Sequence, residues 1–244
     1  LHTLPGPAET GPKIPIGIDE AALAPVLLDF DADPHFVVLG DTESGKTNLL
    51  RVVAESIVAR HDPTEARLVF IDYRRSLLDT ADTEHRIGYA ASSTAAAELI
   101  NSLREVLMTR LPPADLTPEQ LRSRSWWTGQ DLYIVVDDYD LVATSANPLA
   151  PLADLLPQAR DIGLHLILGR AMGGAGRAML DPIVRRLKEM ASPALMLSGS
   201  RDEGQLFGNV RPQVLPPGRG QFTDRRSGAR LIQSAFLAPS NLGP

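Results

Sequence analysis

Eight residues, GDTESGKT at positions 40–47, satisfy the spacing G-x-x-x-x-G-K-[ST] at every fixed position. A polyphosphate needs that spacing. Gly40 and Gly45 let the backbone N–H groups of Asp41, Thr42, Glu43 and Ser44 curl around a β-phosphate. Lys46 can reach the β- and γ-phosphates, and the Thr47 hydroxyl can ligate magnesium. Asn48 follows in the first turn of the next helix, whose positive end adds to the anion site. Gly40 through Asn48 are therefore the candidate nucleotide-binding residues, with ATP and Mg as the expected ligands. The alternative for such a stretch is a glycine turn with an exposed lysine. A preceding apolar strand and a following apolar-periodic helix favour the phosphate loop.

A second group of residues lies at 132–138, LYIVVDD. An apolar strand here delivers Asp137 and Asp138 at its C-terminal end, the edge where open α/β sheets bind ligands. Asp137 is placed to hold magnesium together with Thr47, directly or through water. Asp138 is the candidate catalytic carboxylate. Many ATPases of this kind carry Glu there. Aspartate is one methylene shorter, a retraction of about 1.5 Å that can cost on the order of a hundredfold in rate. The bland reading of the pair is a solvated Asp-Asp turn. The histidines (His2, His35, His61, His85, His165) show no metal-ligand spacing. His165, inside LHLIL, reads as a core histidine. No G-x-S-x-G elbow is present, and Trp126-Trp127 reads as packing.

The elements that must position these groups alternate strand and helix. Short strands are expected at 14–18 and 26–30, then a strand at 36–39 and a helix over 47–60 with Leu49, Leu50, Val53 and Ile57 on one face. A strand at 68–71 and a helix over 94–110 follow. Residues 111–130 read as a connector. After the acidic strand, the pattern predicts a helix over 148–160 shortened or kinked at Pro157, a strand at 164–168, a Gly-rich loop and helix over 173–190, and a strand at 194–197. Residues 220–233 read as a β-hairpin. This order implies a mostly parallel sheet with helices on both faces. The expected organisation is a linker at 1–13, one domain at 14–237 and a tail at 238–244.

Composition narrows the classes. The chain has 244 residues, no Cys and a formal net charge of −6. Zero Cys excludes disulfide scaffolds, Cys-ligated zinc, iron–sulfur clusters and a thiol nucleophile. The charge provides no global excess of cations for nucleic acid or anionic membrane. Arg greatly outnumbers Lys, which is present only as Lys13, Lys46 and Lys188. No run approaches the roughly 20 apolar residues that span a bilayer. The N-terminal LHTLPGPAET reads as the start of a fragment, so the working protein is expected to be larger.

Several stretches resemble the FtsK/SpoIIIE group of ring motor ATPases: PHFVVLGDTESGKTNLLR (34–51), YIVVDDYD (133–140), ARDIGLHLILGR (159–170), SGSRDEGQLFG (198–208) and LPPGRG (215–220). The strand at 68–71, between the phosphate loop and the acidic strand in the chain, agrees with the P-loop division that has an inserted central strand. Within the group, IPIGIDE (14–20), FIDYRRSLLD (70–79), GRAMGGAGRAM (169–179) and LSGSRDEG (197–204) resemble the EccC-type motors of mycobacterial type VII secretion. The resemblance covers about 14–237. It implies a P-loop NTPase of RecA/FtsK-like fold and a late domain, expected to be the last, in a tandem of ATPases. Its implied partners are the other ATPase domains, a secreted helical substrate with a C-terminal signal, and a membrane complex reached through other parts of the protein. The implied location is the cytoplasmic face of the plasma membrane, the fragment itself being soluble. Nucleic acid is not expected.

Two departures from the group bear on activity. Asp138 stands where its DNA motors have Glu, and Arg170-Ala171 where they have a Thr-Gln-type sensor. Both imply slow hydrolysis. The resemblance also implies an arginine donated in trans: Arg104, in SLREVLMTR, comes first and Arg110 second, with Arg160, Arg170 and Arg177 near later strand ends. For each, a surface or structural role is the alternative. Three functions stay open: a weakly hydrolysing secretion-motor domain, an active DNA translocase, and a nucleotide-locked docking module. The helix at Met179–Met190 reads either as core packing or as a wall of a docking groove.

Overall fold

The computed structural model describes residues 4–144 and 146–238. Ten strands among them form one sheet in the order β2-β1-β10-β9-β8-β3-β7-β6-β4-β5. The six strands β3 (His35–Gly40), β4 (Ala66–Ile71), β5 (Arg86–Ala90), β6 (Asp131–Val136), β7 (Leu164–Ala171) and β8 (Ala194–Met196) pair in parallel. An antiparallel extension, β1 (Ile14–Asp19), β2 (Pro25–Leu28), β9 (Arg219–Asp224) and β10 (Gly228–Ser234), joins through β8 and β9. The helices in chain order are α1 (Pro7–Thr10), α2 (Lys46–Val58), α3 (Ser93–Thr109), α4 (Pro118–Ser123), α5 (Tyr139–Val142), α6 (Ala159–Ile162), α7 (Ala175–Ala178) and α8 (Pro182–Glu189).

The central strands are rich in apolar residues on both sides because both faces are covered. Phe36 and Val38 of β3 face one core with Leu49, Val53 and Ile57 of α2. Val37 and Leu39 face the other, with Ile100 and Leu107 of α3 and Ile183 and Leu187 of α8. The hairpin expected at the C-terminus is β9–β10. Between the phosphate-loop strand β3 and the acidic strand β6 lies β7. The strand expected at 68–71 is β4, which sits on the far side of β6.

Several expectations are revised. Residues 148–160 do not form one helix: two 3-10 turns, Ala150–Leu152 and Leu156–Gln158, lead into α6. Pro148, Pro151 and Pro157 cannot donate backbone hydrogen bonds, and the interruption, expected only at Pro157, extends through the whole stretch. The strand β5 is absent from the predicted elements: only Ala90 of its five residues is buried, so it has no core periodicity. The connector at 111–130 contains α4, capped by Thr117 and Gln120 in reciprocal hydrogen bonds. Within the segment read as a linker, α1 docks beside α2, where Arg60 donates to Thr10 Oγ1 and to the Lys13 carbonyl. Most of the segment read as the tail, 239–244, lies outside the described residues.

Candidate functional site

The site grows from the C-terminal end of β3. Gly40 has no room for a side chain: a Cβ would lie 2.3 Å from Ser44 Oγ. Gly45 caps α2 at φ 108°, a conformation open to glycine. Between them the chain folds on itself. Ser44 Oγ and Lys46 Nζ both donate to the Asp41 carbonyl, at 2.7 and 3.0 Å. Neighbouring segments fix the loop. Asp41 N donates to Ser198 O, Met172 N to Gly40 O, and Gly218 N to Ser44 O. Asp41, Thr42 and Glu43 are exposed at its tip, while Ser44 and Lys46 are buried. The thirteen-residue α2 places its N-terminal N–H groups and dipole behind this turn.

The acidic strand arrives where the motif requires it. Thr47 Oγ1 donates to Asp137 Oδ2 at 2.7 Å, joining two residues ninety positions apart. Asp137 is only 2% exposed. Burial above all, with the neighbouring Asp138 charge, pushes its carboxyl up to about 6, against donations from Thr47 and the Asp138 N–H. A cation between Thr47 Oγ1 and Asp137 would offset that burial cost, which is the chemistry of a magnesium site. The donor set therefore fits Mg.

Asp138 caps α5 in a left-handed conformation, φ 46° and ψ 54°. Its Oδ2 lies 2.9 Å from Arg74 Nε. Asn48 lies beside the loop, and its amide is spent on the C-terminal strap: Nδ2 donates to Ala235 O and Oδ1 accepts from Leu237 N.

The other arginines are distributed differently. Arg170, at the sensor position, is buried and donates to the carbonyls of Ala171, Gly173 and Gly174. Glu203 accepts from the N–H groups of Gly174 and Gly176. Arg170 therefore shapes the Gly-rich loop, and its guanidinium is committed there. Arg110 stacks over Trp127 at 4.4 Å and donates to Gln130 O and Ile162 O, at the N-terminal edge of the strands. Its committed guanidinium makes it a poor donor to a neighbour. Arg104, on α3, gives Nε to Pro151 O at 3.0 Å. Arg160 and Arg177 are exposed.

Trp126 and Trp127 pack, with their indole N–H groups on Arg110 O and Asp161 O. His165 stacks on Tyr133 at 4.3 Å inside the fold. The apolar side of α8, Ile183, Val184 and Leu187, is buried, and Met179 and Met190 pack against the same core. Of the two readings of that segment, core packing is the one its contacts support, although Leu180 is exposed.

Neither Arg74 nor Gly218 stands out in the sequence as a site residue. Arg74 lies within FIDYRRSLLD, a stretch that carries the resemblance but assigns it no role, and in an Arg-rich chain it has no spacing signal of its own. Gly218 is visible only as part of LPPGRG, without the loop it touches.

Comparisons with known proteins agree with this geometry. The FtsK/SpoIIIE family profile matches residues 10–205. The ESX secretion system protein EccC of Thermomonospora curvata is 66% identical over 96% of this chain and 18% of its own length. ESX-4 secretion system protein EccC4 of Mycobacterium tuberculosis is 46% identical over 95% of this chain and 19% of its own length. The chain thus spans under a fifth of these two relatives. The cytoplasmic domain of the T. curvata type VII secretion ATPase EccC superposes with a TM-score of 0.96 at 65% identity, over 97% of this chain and 28% of that one. ATPases 2 and 3 of the same protein, in complex with a signal sequence peptide, give 0.95 over 97% of this chain and 42% of that one. With the family profile matched over residues 10–205 and relatives 66% and 46% identical over nearly all of its length, this chain belongs to the FtsK/SpoIIIE family.

Proposed function

We propose that this chain is an ATP·Mg-binding domain of a type VII secretion motor, with slow hydrolysis. The carrying observation is the Thr47–Asp137 hydrogen bond at 2.7 Å beneath a phosphate loop that is complete at every fixed position. Gly40 through Asn48 hold the phosphates, Lys46 neutralises the β- and γ-oxygens, and Thr47 with Asp137 holds magnesium. The bound cation supplies charge neutralisation as the γ-phosphoryl leaves. Asp138 orients water weakly, because its carboxylate is short and already paired with Arg74. Arg104 is proposed to act on a neighbouring domain's nucleotide.

The T. curvata relative supports the partner reading, since its ATPases 2 and 3 form a complex with a signal sequence peptide. We extend that to this chain: it contacts other ATPase domains of its motor and a secreted helical substrate with a C-terminal signal. Among the described residues no helix is long and apolar enough to cross a membrane. The proposed site of action, the cytoplasmic face of the plasma membrane, therefore depends on other parts of the motor. Titration with ATP·Mg, paired with a turnover assay on the same sample, tests the proposal. Lys46→Ala should weaken ATP affinity at least about tenfold, since it removes the cation that the loop fixes over the β- and γ-phosphates. Equal affinity in the two proteins would overturn it.

A further inference from the structure

We propose that Arg74 is a positioning residue that draws the Asp138 carboxylate away from the phosphate loop and so slows hydrolysis. This rests on the reading of the site as an ATP·Mg site. Arg74 follows β4, and β4 lies on the side of β6 opposite to β7 and β3. The 2.9 Å contact between Arg74 Nε and Asp138 Oδ2 therefore ties the carboxylate to the loop that follows β4, a strand on the side of β6 away from the one that carries the phosphate loop. Aspartate has one methylene between backbone and carboxylate. It cannot hold this partner and also lean toward a water in line with the γ-phosphorus.

Both ends of the contact are held. On one side, Asp138 is fixed in its left-handed backbone, with its N–H on Asp137 Oδ1 and its carbonyl accepting from Leu141 N. On the other, the loop carrying Arg74 is anchored at three points. Buried Asp72 accepts from Leu77 N at 2.7 Å and Tyr89 Oη at 2.8 Å. Arg75 N donates back to Asp72 O. Arg51, on α2 one turn beyond Thr47, donates to Ser76 O at 2.6 Å. The helix that begins at the phosphate loop thus also sets the height of the Arg74 loop.

In the reaction, water oxygen bonds to the γ-phosphorus. The bond from that phosphorus to the bridging oxygen breaks, with its electron pair passing to the β-phosphate. The water proton passes through the Asp138 carboxylate to solvent. A carboxylate held by a guanidinium is pointed away from that water. The Arg74 side chain is 63% exposed, so the restraint is modest and a fewfold change is expected.

The test is single-turnover hydrolysis of γ-labelled ATP by excess 244-residue chain, with ATP·Mg affinity measured in parallel. Arg74→Ala should raise the rate constant about fivefold and leave affinity unchanged, while Arg74→Lys, which keeps the charge, stays near wild type. The gain should vanish in the Arg74→Ala, Asp138→Asn double variant. An unchanged or lower rate in Arg74→Ala, including no measurable hydrolysis in either protein, overturns the role of Arg74. A gain that persists without the Asp138 carboxylate overturns it too. Failure of the wild type to bind ATP·Mg would instead overturn the proposed function itself.

Discussion

Gly218→Ala tests whether the turn before β9 is part of the phosphate loop. Gly218 N donates to Ser44 O at 2.8 Å, and Gly218 has φ +75°. Alanine in that left-handed region costs about 1 kcal/mol. The new Cβ would lie 2.6 Å from Gln233 Nε2, the far end of a flexible side chain that can swing aside. The turn relaxes by moving, and the Ser44 carbonyl then loses a donor worth about 1 kcal/mol. The total of about 2 kcal/mol lowers Tm by about 4–8 °C for a chain of this size. The half that sits in the phosphate loop weakens ATP·Mg affinity by up to about fivefold. Gly228→Ala is the internal control. Gly228 has φ +68°, and a Cβ at that position would meet nothing within 4 Å, so it carries the strain and no link to the loop. It should lower Tm by about half as much and leave ATP affinity alone. If Gly218→Ala loses stability with wild-type affinity, the turn only braces the hairpin and the reasoning fails.

Two further outcomes are expected. Asp138→Glu should raise the turnover rate above wild type, because the longer arm recovers about 1.5 Å of reach, and a steady-state phosphate-release assay that finds no gain would show that reach is not limiting. His35→Gln should flatten the acid limb of stability. His35 Nδ1 accepts from Leu166 N and Nε2 faces Leu156 O, and burial above all pushes the ring down to about 3, so it stays neutral in the fold. The unfolded chain binds that proton below about pH 6.5, so stability is lost as pH falls through this range, about 2 kcal/mol between about pH 7.5 and about pH 5. Urea unfolding at the two pH values measures it, and an equal loss in wild type and variant would refute the assignment.

Much of the site was legible because its chemistry is local. The loop at 40–47 and the acidic end of β6 each fall within one short stretch, and apolar runs mark the strands that carry them. The sequence places Thr47 and Asp137 at one expected magnesium site, and the structure joins the two by a hydrogen bond. What stayed hidden depends on topology or on weak patterning. The strand β5 is an edge with little buried surface, so nothing alternates. The stretch at 148–160 reads as a helix kinked or shortened at Pro157, and the structure breaks it at Pro151 as well, into separate turns. Gly218 meets Ser44 only because β9 returns beside β8, next to β3.

The two departures noted in the sequence gain a physical content from these contacts. Arg170 stands where a sensor would report on the γ-phosphate, yet its donors are taken by the carbonyls of Ala171, Gly173 and Gly174. Asp138 stands where a glutamate would orient water, yet it is drawn toward Arg74. By contrast, the groups suited to gripping phosphate are in place: Lys46 is buried within the loop, Thr47 is joined to Asp137, and three neighbouring segments brace the backbone through Ser198, Met172 and Gly218. On the proposed reading, binding and hydrolysis draw on different residues, and the side chains proposed for hydrolysis, Asp138 and Arg170, are paired elsewhere. A domain built this way would hold its nucleotide as a fixed structural element, with the ordering of the phosphate loop transmitted through Gly218 and Asn48 to the C-terminal strap. The fivefold gain expected from freeing Asp138 is small against the roughly hundredfold scale of a misplaced water. On the proposed reading, Arg74 would trim a rate that the short aspartate and the committed Arg170 already hold low.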